Sequence, residues 1–408
     1  MIVLVTLLSA TAAASIHRRP VYSQGWTVSP VAVREDERVH VTLCVKEQGR
    51  EEIRRIASEV SDPESTHYGK YLTVEEIENL TAPTAEHMST VTDWLSSHSV
   101  QYRTRHSNVI ADMSVAEAAA VFATKFQRVE NYGVSLIRAN DYQLPTPIES
   151  AVSTVFGLHG LPLPPRGAGM PSMGSRQRLQ HANAVANVTP GVLKSTYGIS
   201  GVVSSRSPKN RQAVVEFQGQ LMNATDLATL FETFVKDYEP GVDDSVYKFG
   251  GDPDASARQG DGLEALLDIE YIMASAVGIK TEFWEYASDD FCGDLNRWTS
   301  NITTSIDVPL VHSVSYGWQG DLNQIHCSSA DVGVVDDNFA KLAAKGITIV
   351  VASGDSGSGY TKPSACPDGG GQSGLALEGE VMQTSNTTHT DCCVQGGTAI
   401  VGQGYPAG

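Results

Sequence analysis

DVGVVDDNFAKLAAKGITIVVASGDSG, residues 331–357, decides the fold class. Its first half repeats apolar residues at helical intervals and stops at Gly346, the residue type that most readily closes a helix. Ile347 to Val351 then form an apolar run that enters a glycine-rich turn. A short strand with few polar interruptions, directly following a helix, suits a parallel sheet covered on both faces. Working outward, RQAVVEF (211–217), GDGLEALLDIEYIMASAV (260–277) and DVPLVHSVSYG (307–317) continue the alternation of buried strand and helix. The predicted class is α/β with a parallel sheet. In such sheets sites lie just beyond the carboxyl ends of strands, where Ser315–Gly317 and Ser353–Gly357 both fall.

The upstream text is of another kind. EEIRRIASEVSD (51–62) has the apolar period of a helix in Ile53, Ile56 and Val60. TAEHMSTVTDWLSSHSV (84–100) is a second helix, with Thr84 as its N-cap and Met88, Val91, Trp94 and Leu95 on one face. SVAEAAAVFATKF (114–126) is a third, and VHVTLCV (39–45) and VSLIRA (134–139) are strands. Residues 15–160 are thus expected to be a compact α+β module. Residues 161–186, rich in Pro, Gly, Ser, Arg and Gln, lose all periodicity and form a linker. Arg166, Arg176 and Arg178 make it a plausible place for an activating cut, a plain tether being the alternative. The second domain runs from residue 187 to 408.

Residues 1–14 read as a secretory signal: an apolar run from Ile2 to Leu8, too short to span a bilayer, followed by small residues at Ala12 to Ala14. No later segment reaches transmembrane length. Asn-x-Ser/Thr sequons at Asn79, Asn187, Asn223, Asn301 and Asn386 fit an exported chain. Six cysteines fit an oxidising compartment, with Cys44 expected to be a buried free thiol. The formal net charge of −18 makes nucleic acid and anionic membranes poor partners, by repulsion. That surplus suits either simple solubility or work in acid, where many carboxylates are partly protonated.

The Gly-Asp-Ser-Gly quartet at 354–357 raises the question of whether Ser356 is a nucleophile of the trypsin type. Context argues against it. That fold is an antiparallel double barrel and needs a histidine base, whereas His312 sits inside a strand pattern and His326 in a polar loop. The helix at 262–275 offers different chemistry. Glu264 and Asp268 are four apart, so they lie about one turn above each other on one face, while Glu270 points nearly the opposite way. Two carboxylates sharing a site repel, which raises one apparent pKa. A solvated acidic face is the bland alternative, but Leu263, Leu266, Leu267 and Ile269 show that part of this helix is buried.

GDGLEALLDIEYIMA, VHSVSYG and VVASGDSGSG, in this order, resemble the sedolisins, or serine-carboxyl peptidases. HYGKYLTVEEIENLTAPT (67–84) resembles that family's pro-domain, and NVTPGVLKSTYGI (187–199) the start of its mature enzyme. The resemblance implies a subtilisin-like catalytic domain behind an activation pro-domain that inhibits it intramolecularly. It gives Glu264 the role of general base, Asp268 that of the carboxylate orienting it, and Asp355 a place in the oxyanion hole. Ser315, Tyr316 and Gly317 would line the substrate cleft, and Ser356 becomes a turn residue. In acid a histidine is protonated and cannot accept a proton, whereas a glutamate with a moderately raised pKa can. A protonated aspartic acid can also donate to an oxyanion.

The implied activity is removal of tripeptides from peptide N-termini by a lysosomal or secreted zymogen, with an endopeptidase as the alternative. The family's Ser-Gly-Thr-Ser nucleophile motif does not occur in the 408 residues, and GGTAIVGQGYPAG resembles the next strand of the family before the sequence stops. The family's calcium site would lie in the same later segment, and no cysteine closely follows the glycine-rich turn. The 408 residues alone are therefore expected to be inactive. A rival class is a non-catalytic binding or inhibitory protein of the pro-domain type.

Overall fold

The computed structural model describes residues 14–17, 25–131, 133–163, 188–200, 207–252, 260, 262–318 and 322–353. Strands β1 (Ala14–His17), β2 (Thr27–Val28) and β3 (Arg38–Val45) precede α1 (Arg50–Ser61), α2 (Val74–Thr81) and α3 (Ala85–Ser97). Then come β4 (Tyr102–Arg105), β5 (Asn108–Ser114), α4 (Val115–Val121), β6 (Phe126–Asn131), β7 (Val134–Ala139), β8 (Tyr142–Pro145), α5 (Thr146–Ala151) and β9 (Val152–Phe156). They form antiparallel sheets of order β4-β5-β3-β9, β2-β6-β7 and β1-β8. Thr84 caps α3 as expected, its hydroxyl accepting from the His87 amide at 3.1 Å. The third helix is shorter than its apolar run. It stops at Val121 because Ala123 takes a left-handed backbone (φ 46°), and Phe126 begins β6 instead. Val41, Leu43, Leu95, Val109, Met113 and Phe122 fill the core of this module.

The second domain contains α6 (Pro190–Thr196), β10 (Arg211–Phe217), α7 (Ala224–Phe234), β11 (Lys248–Gly251), α8 (Leu263–Ser275) and β12 (Lys280–Tyr286). It continues through α9 (Phe291–Thr304), β13 (Val311–Val314), α10 (Ser329–Ala344) and β14 (Thr348–Val351). The five strands are parallel in the order β11-β12-β10-β13-β14, as the apolar runs predicted. Val214 and Phe283 face α7 and α8 on one side. Ala213, Val215, Phe217 and Trp284 face α9 and α10 on the other, with Trp298 and Phe339. Several elements of this domain escaped the sequence reading, among them α7, β11, β12 and α9. Cys292, in the first turn of α9, is bonded to Cys327, while Cys44 is a buried free thiol. Cys366, Cys392 and Cys393 lie outside the described residues.

The two domains meet along α9 and α10. Ile53, Ala57 and Ile77 of the first pack on Ala340 and Ala344 of the second. Each such isoleucine, fully buried, stabilises by roughly 1.5–3 kcal/mol. Arg50 and Arg54 both pair with Asp337, at 2.7 and 2.8 Å. Deeper in the seam, the Lys341 ammonium lies 2.5 Å from the Glu47 carboxylate and donates to Asn338 Oδ1. Asn108 donates to Ser300 at 2.9 Å. The body of the first domain covers the α9–α10 layer, and residues 157–163 reach the carboxyl edge of the sheet.

Candidate active site

Strand β10 ends at Phe217, β12 at Tyr286, β13 at Val314 and β14 at Val351, all on one edge. Helix α8 starts beside that edge. Its N-cap, Gly262, offers no side-chain cap, and the positive dipole end of the helix favours an acid at Glu264. Ala265, Ile269 and Met273 anchor the helix to the core. That seating buries Glu264 and half-buries Asp268, while Leu263 and Leu267 stay exposed. Glu270 turns toward α7, where burial and then the charge of Asp226 push its carboxyl up.

A third carboxyl joins Glu264 and Asp268, one that sequence reasoning missed. Glu216, near the end of β10, is wholly buried and hydrogen-bonded to Asp268. Burial drives its pKa well above the ordinary 4.5, and the charges of Asp268 and Glu264 push it further in the same direction. Hydrogen bonding to Asp268 raises it too, as it does when the protonated Glu216 is the donor. The Tyr316 hydroxyl donates to Glu216 Oε2 at 3.0 Å, with the Phe217 carbonyl 3.3 Å away. Burial, and then Glu216, raise the Tyr316 hydroxyl, which stays protonated. A fourth acid, Glu285, sits opposite Glu216 in the β10–β12 register and is equally buried. The available signal was a glutamate in a strand read as buried on both faces.

The Ser-Tyr-Gly stretch divides. Ser315 and Gly317 stay half-buried beyond the end of β13. Tyr316 turns inward, its ring 5.2 Å from that of Phe217, and it serves as a support behind the carboxyls. Asp355 and Ser356 lie outside the described residues. A hollow of 370 Å³ opens beside Asp268, lined by Val188, Leu193, Leu267, Tyr271 and Ser313 among others. The Tyr271 hydroxyl donates to the Val188 carbonyl and ties the start of the second domain to α8.

Neither histidine considered above joins this cluster. His312 is wholly buried on the opposite face, its ring 5.9 Å from Trp298 and its Nε2 donating to the Pro309 carbonyl. Burial lowers it to about 4. His326 faces the first domain, its Nδ1 donating to the His159 carbonyl at 3.2 Å. Among the described residues no group of three or more His, Cys, Asp or Glu side chains could hold a metal ion. None of their helices is long and apolar enough to cross a membrane.

Residues 24–161 match the family profile described as "Pro-kumamolisin, activation domain". Tripeptidyl-peptidase 1 of Canis lupus familiaris is 33% identical over 353 residues, covering 82% of this chain and 59% of that protein. The proteins of the same name in Mus musculus and Homo sapiens are 31% and 30% identical, with the same two coverages. The chain belongs to the sedolisin family. This sedolisin spans about 59% of the length of the relatives it matches. Its architecture is an α/β, subtilisin-like domain behind an α+β pro-domain. The carboxyl cluster lies at the carboxyl edge of the sedolisin's parallel sheet, where the motifs predicted a site.

Proposed function

We propose that this sedolisin is the precursor of an acid-acting serine-carboxyl peptidase that removes tripeptides from peptide N-termini. Glu264 is the general base that takes the proton of the attacking hydroxyl. Asp268, one turn on, orients it. Glu216 stays protonated behind them and donates to Asp268. Asp355 supplies a proton-bearing group to the oxyanion, and Ser315 and Gly317 border the peptide. The pro-domain inhibits in cis, and the linker at 161–186 is where it is cut. The signal at residues 1–14 and the sequons support a precursor of the secretory pathway, with the lysosome as its destination.

The observation that carries this reading is the grouping of Glu264, Asp268 and Glu216, from a helix and a strand, at a sheet edge where no imidazole lies among the described residues. The test uses a chain extended to the length of the relatives, treated with acid and given a fluorogenic tripeptide substrate. Glu264→Gln and Asp268→Asn are each expected to lower kcat by roughly 10²–10⁴, the usual worth of a positioned acid or base. Unchanged turnover in both would refute the assignment.

A further inference from the structure

Residues 157–163, GLHGLPL, leave β9 and run along the second domain. The second domain holds their main chain at five points. The Gly157 amide donates to the Asp290 carboxylate at 2.9 Å. The His326 ring donates to the His159 carbonyl. The Leu161 amide donates to the Ile325 carbonyl at 3.0 Å, and its carbonyl accepts from the Phe291 amide at 3.1 Å. The Gln218 side chain donates to the Leu163 carbonyl.

The side chains divide between the domains. Leu158 and Leu161 turn into the pro-domain. Leu163 enters the second domain's core with Phe217 and Tyr316. A Cβ on Gly160 would lie 2.0 Å from Asp290 Oδ1, so only glycine allows this approach.

The walls of the groove are tied together independently of the pro-domain. Phe291 directly precedes Cys292 and Ile325 lies just before Cys327, and these two cysteines are bonded across a sequence separation of 35. A covalent tie of this kind keeps two recognition loops at their bound spacing when the occupant leaves, which lowers the cost of the next binding event. The groove ends at Gln218, two residues past Glu216. A peptide lying in it as residues 157–163 do points its carboxyl end toward the acid cluster.

We propose that this groove is an extended-peptide site of the catalytic domain, occupied in cis by residues 157–163. It accepts other extended peptides through the same main-chain pattern, selecting glycine opposite Asp290 and an apolar side chain three residues later. Recognition is strand-like, with main-chain bonds giving affinity and one pocket giving selectivity. The proposal rests on the precursor reading only in that the tail can leave, and its readout is binding, not turnover.

The test uses the full chain with Gly160→Val or Leu163→Asp to dislodge the tail, and a fluorescein-labelled peptide of residues 157–163. Saturable binding to either variant is expected, at least about tenfold tighter than to the unsubstituted chain, whose groove is filled. An N-methyl group on the peptide's leucine that corresponds to Leu161 should weaken binding by about tenfold or more. Absence of binding to both variants, or equal binding of the N-methylated peptide, overturns the proposal. Hydrogen exchange on the unsubstituted chain needs no variant. The Leu161 and Phe291 amides should exchange together and ahead of Leu43 and Val109 in the pro-domain core. Exchange of Phe291 in step with that core also overturns it.

Discussion

Glu216 shows how one residue's surroundings set its chemistry. A carboxyl with no exposure and two acids beside it favours its neutral form. Its folded-state pKa is raised, so the folded chain holds a proton that the unfolded chain has released. The resulting stabilisation is complete below the ordinary value of 4.5 and is lost as pH rises through the folded-state value. Glu216→Gln keeps a neutral amide in place and removes that slope. It should flatten the pH dependence of stability above about pH 4.5 and raise stability at neutral pH by roughly 1–3 kcal/mol. Urea unfolding at a series of pH values checks this, and a slope as steep as the parent's would contradict it. Glu264 and Asp268 were legible in the sequence because spacing along one helix fixes their common face. Glu216 was not, since only tertiary packing brings β10 against α8. Tyr316 illustrates the same limit, because the sequence could not say which way a residue after β13 turns.

Among the elements, α9 explains why part of the fold was hidden. FCGDLNRWTSNITT reads as polar, yet Asp294, Asn296, Thr299, Ser300 and Thr303 are buried. They are buried because the pro-domain and α10 cover both sides, and their polar groups find partners there: Asn108 on Ser300, and Asn338 on Asn296 and Thr299. Phe291, Leu295, Trp298 and Ile302 do keep a helical period and enter the core, but the buried polar residues between them dilute that signal. Strand β12, KTEFWEY, was hidden for a related reason, since Glu282 and Glu285 are buried within it. Strands β3, β10 and β14, which were found, each carry a run of three apolar residues. Helix α10 was readable to its last turn, which Gly346 closes at φ +85°. A Cβ there would come 2.6 Å from the Tyr71 ring of the pro-domain. Gly346→Ala should therefore cost roughly 1–3 kcal/mol from backbone strain and the displaced ring. A lowered urea midpoint at unchanged m-value would bear this out, and an unchanged midpoint would count against it.

For the whole molecule, the seam decides how acid acts. Burial alone would raise Glu47, but the Lys341 ammonium and the His106 ring outweigh it and hold it at about 2. Its stabilisation is present above the ordinary 4.5 and is lost only as pH falls toward about 2. Burial raises Asp331, which accepts from Thr154 across the seam, to about 6. Neutralising it by acid follows the folded state's own preference. Neither contact loosens the seam near pH 4–5. Glu47→Gln leaves Lys341 buried without its counter-charge and should cost about 3–5 kcal/mol at neutral pH. The difference from the parent should stay level from about pH 7 to 5 and shrink only below about 4.5. A difference that vanishes by about pH 5 would make Glu47 the acid trigger after all.

Strand β1 has a practical consequence. Ala14 to His17 pair with Pro145 to Tyr142, and the His17 ring stacks on Tyr142 at 4.6 Å. If the export leader is trimmed near Ala14, the newly made amino terminus is itself a rung of a ladder. Trimming a few residues further along, or fusing a purification tag at that point, would then alter the fold's first pairing instead of decorating a loose end. Preparations that differ only there should melt at different temperatures.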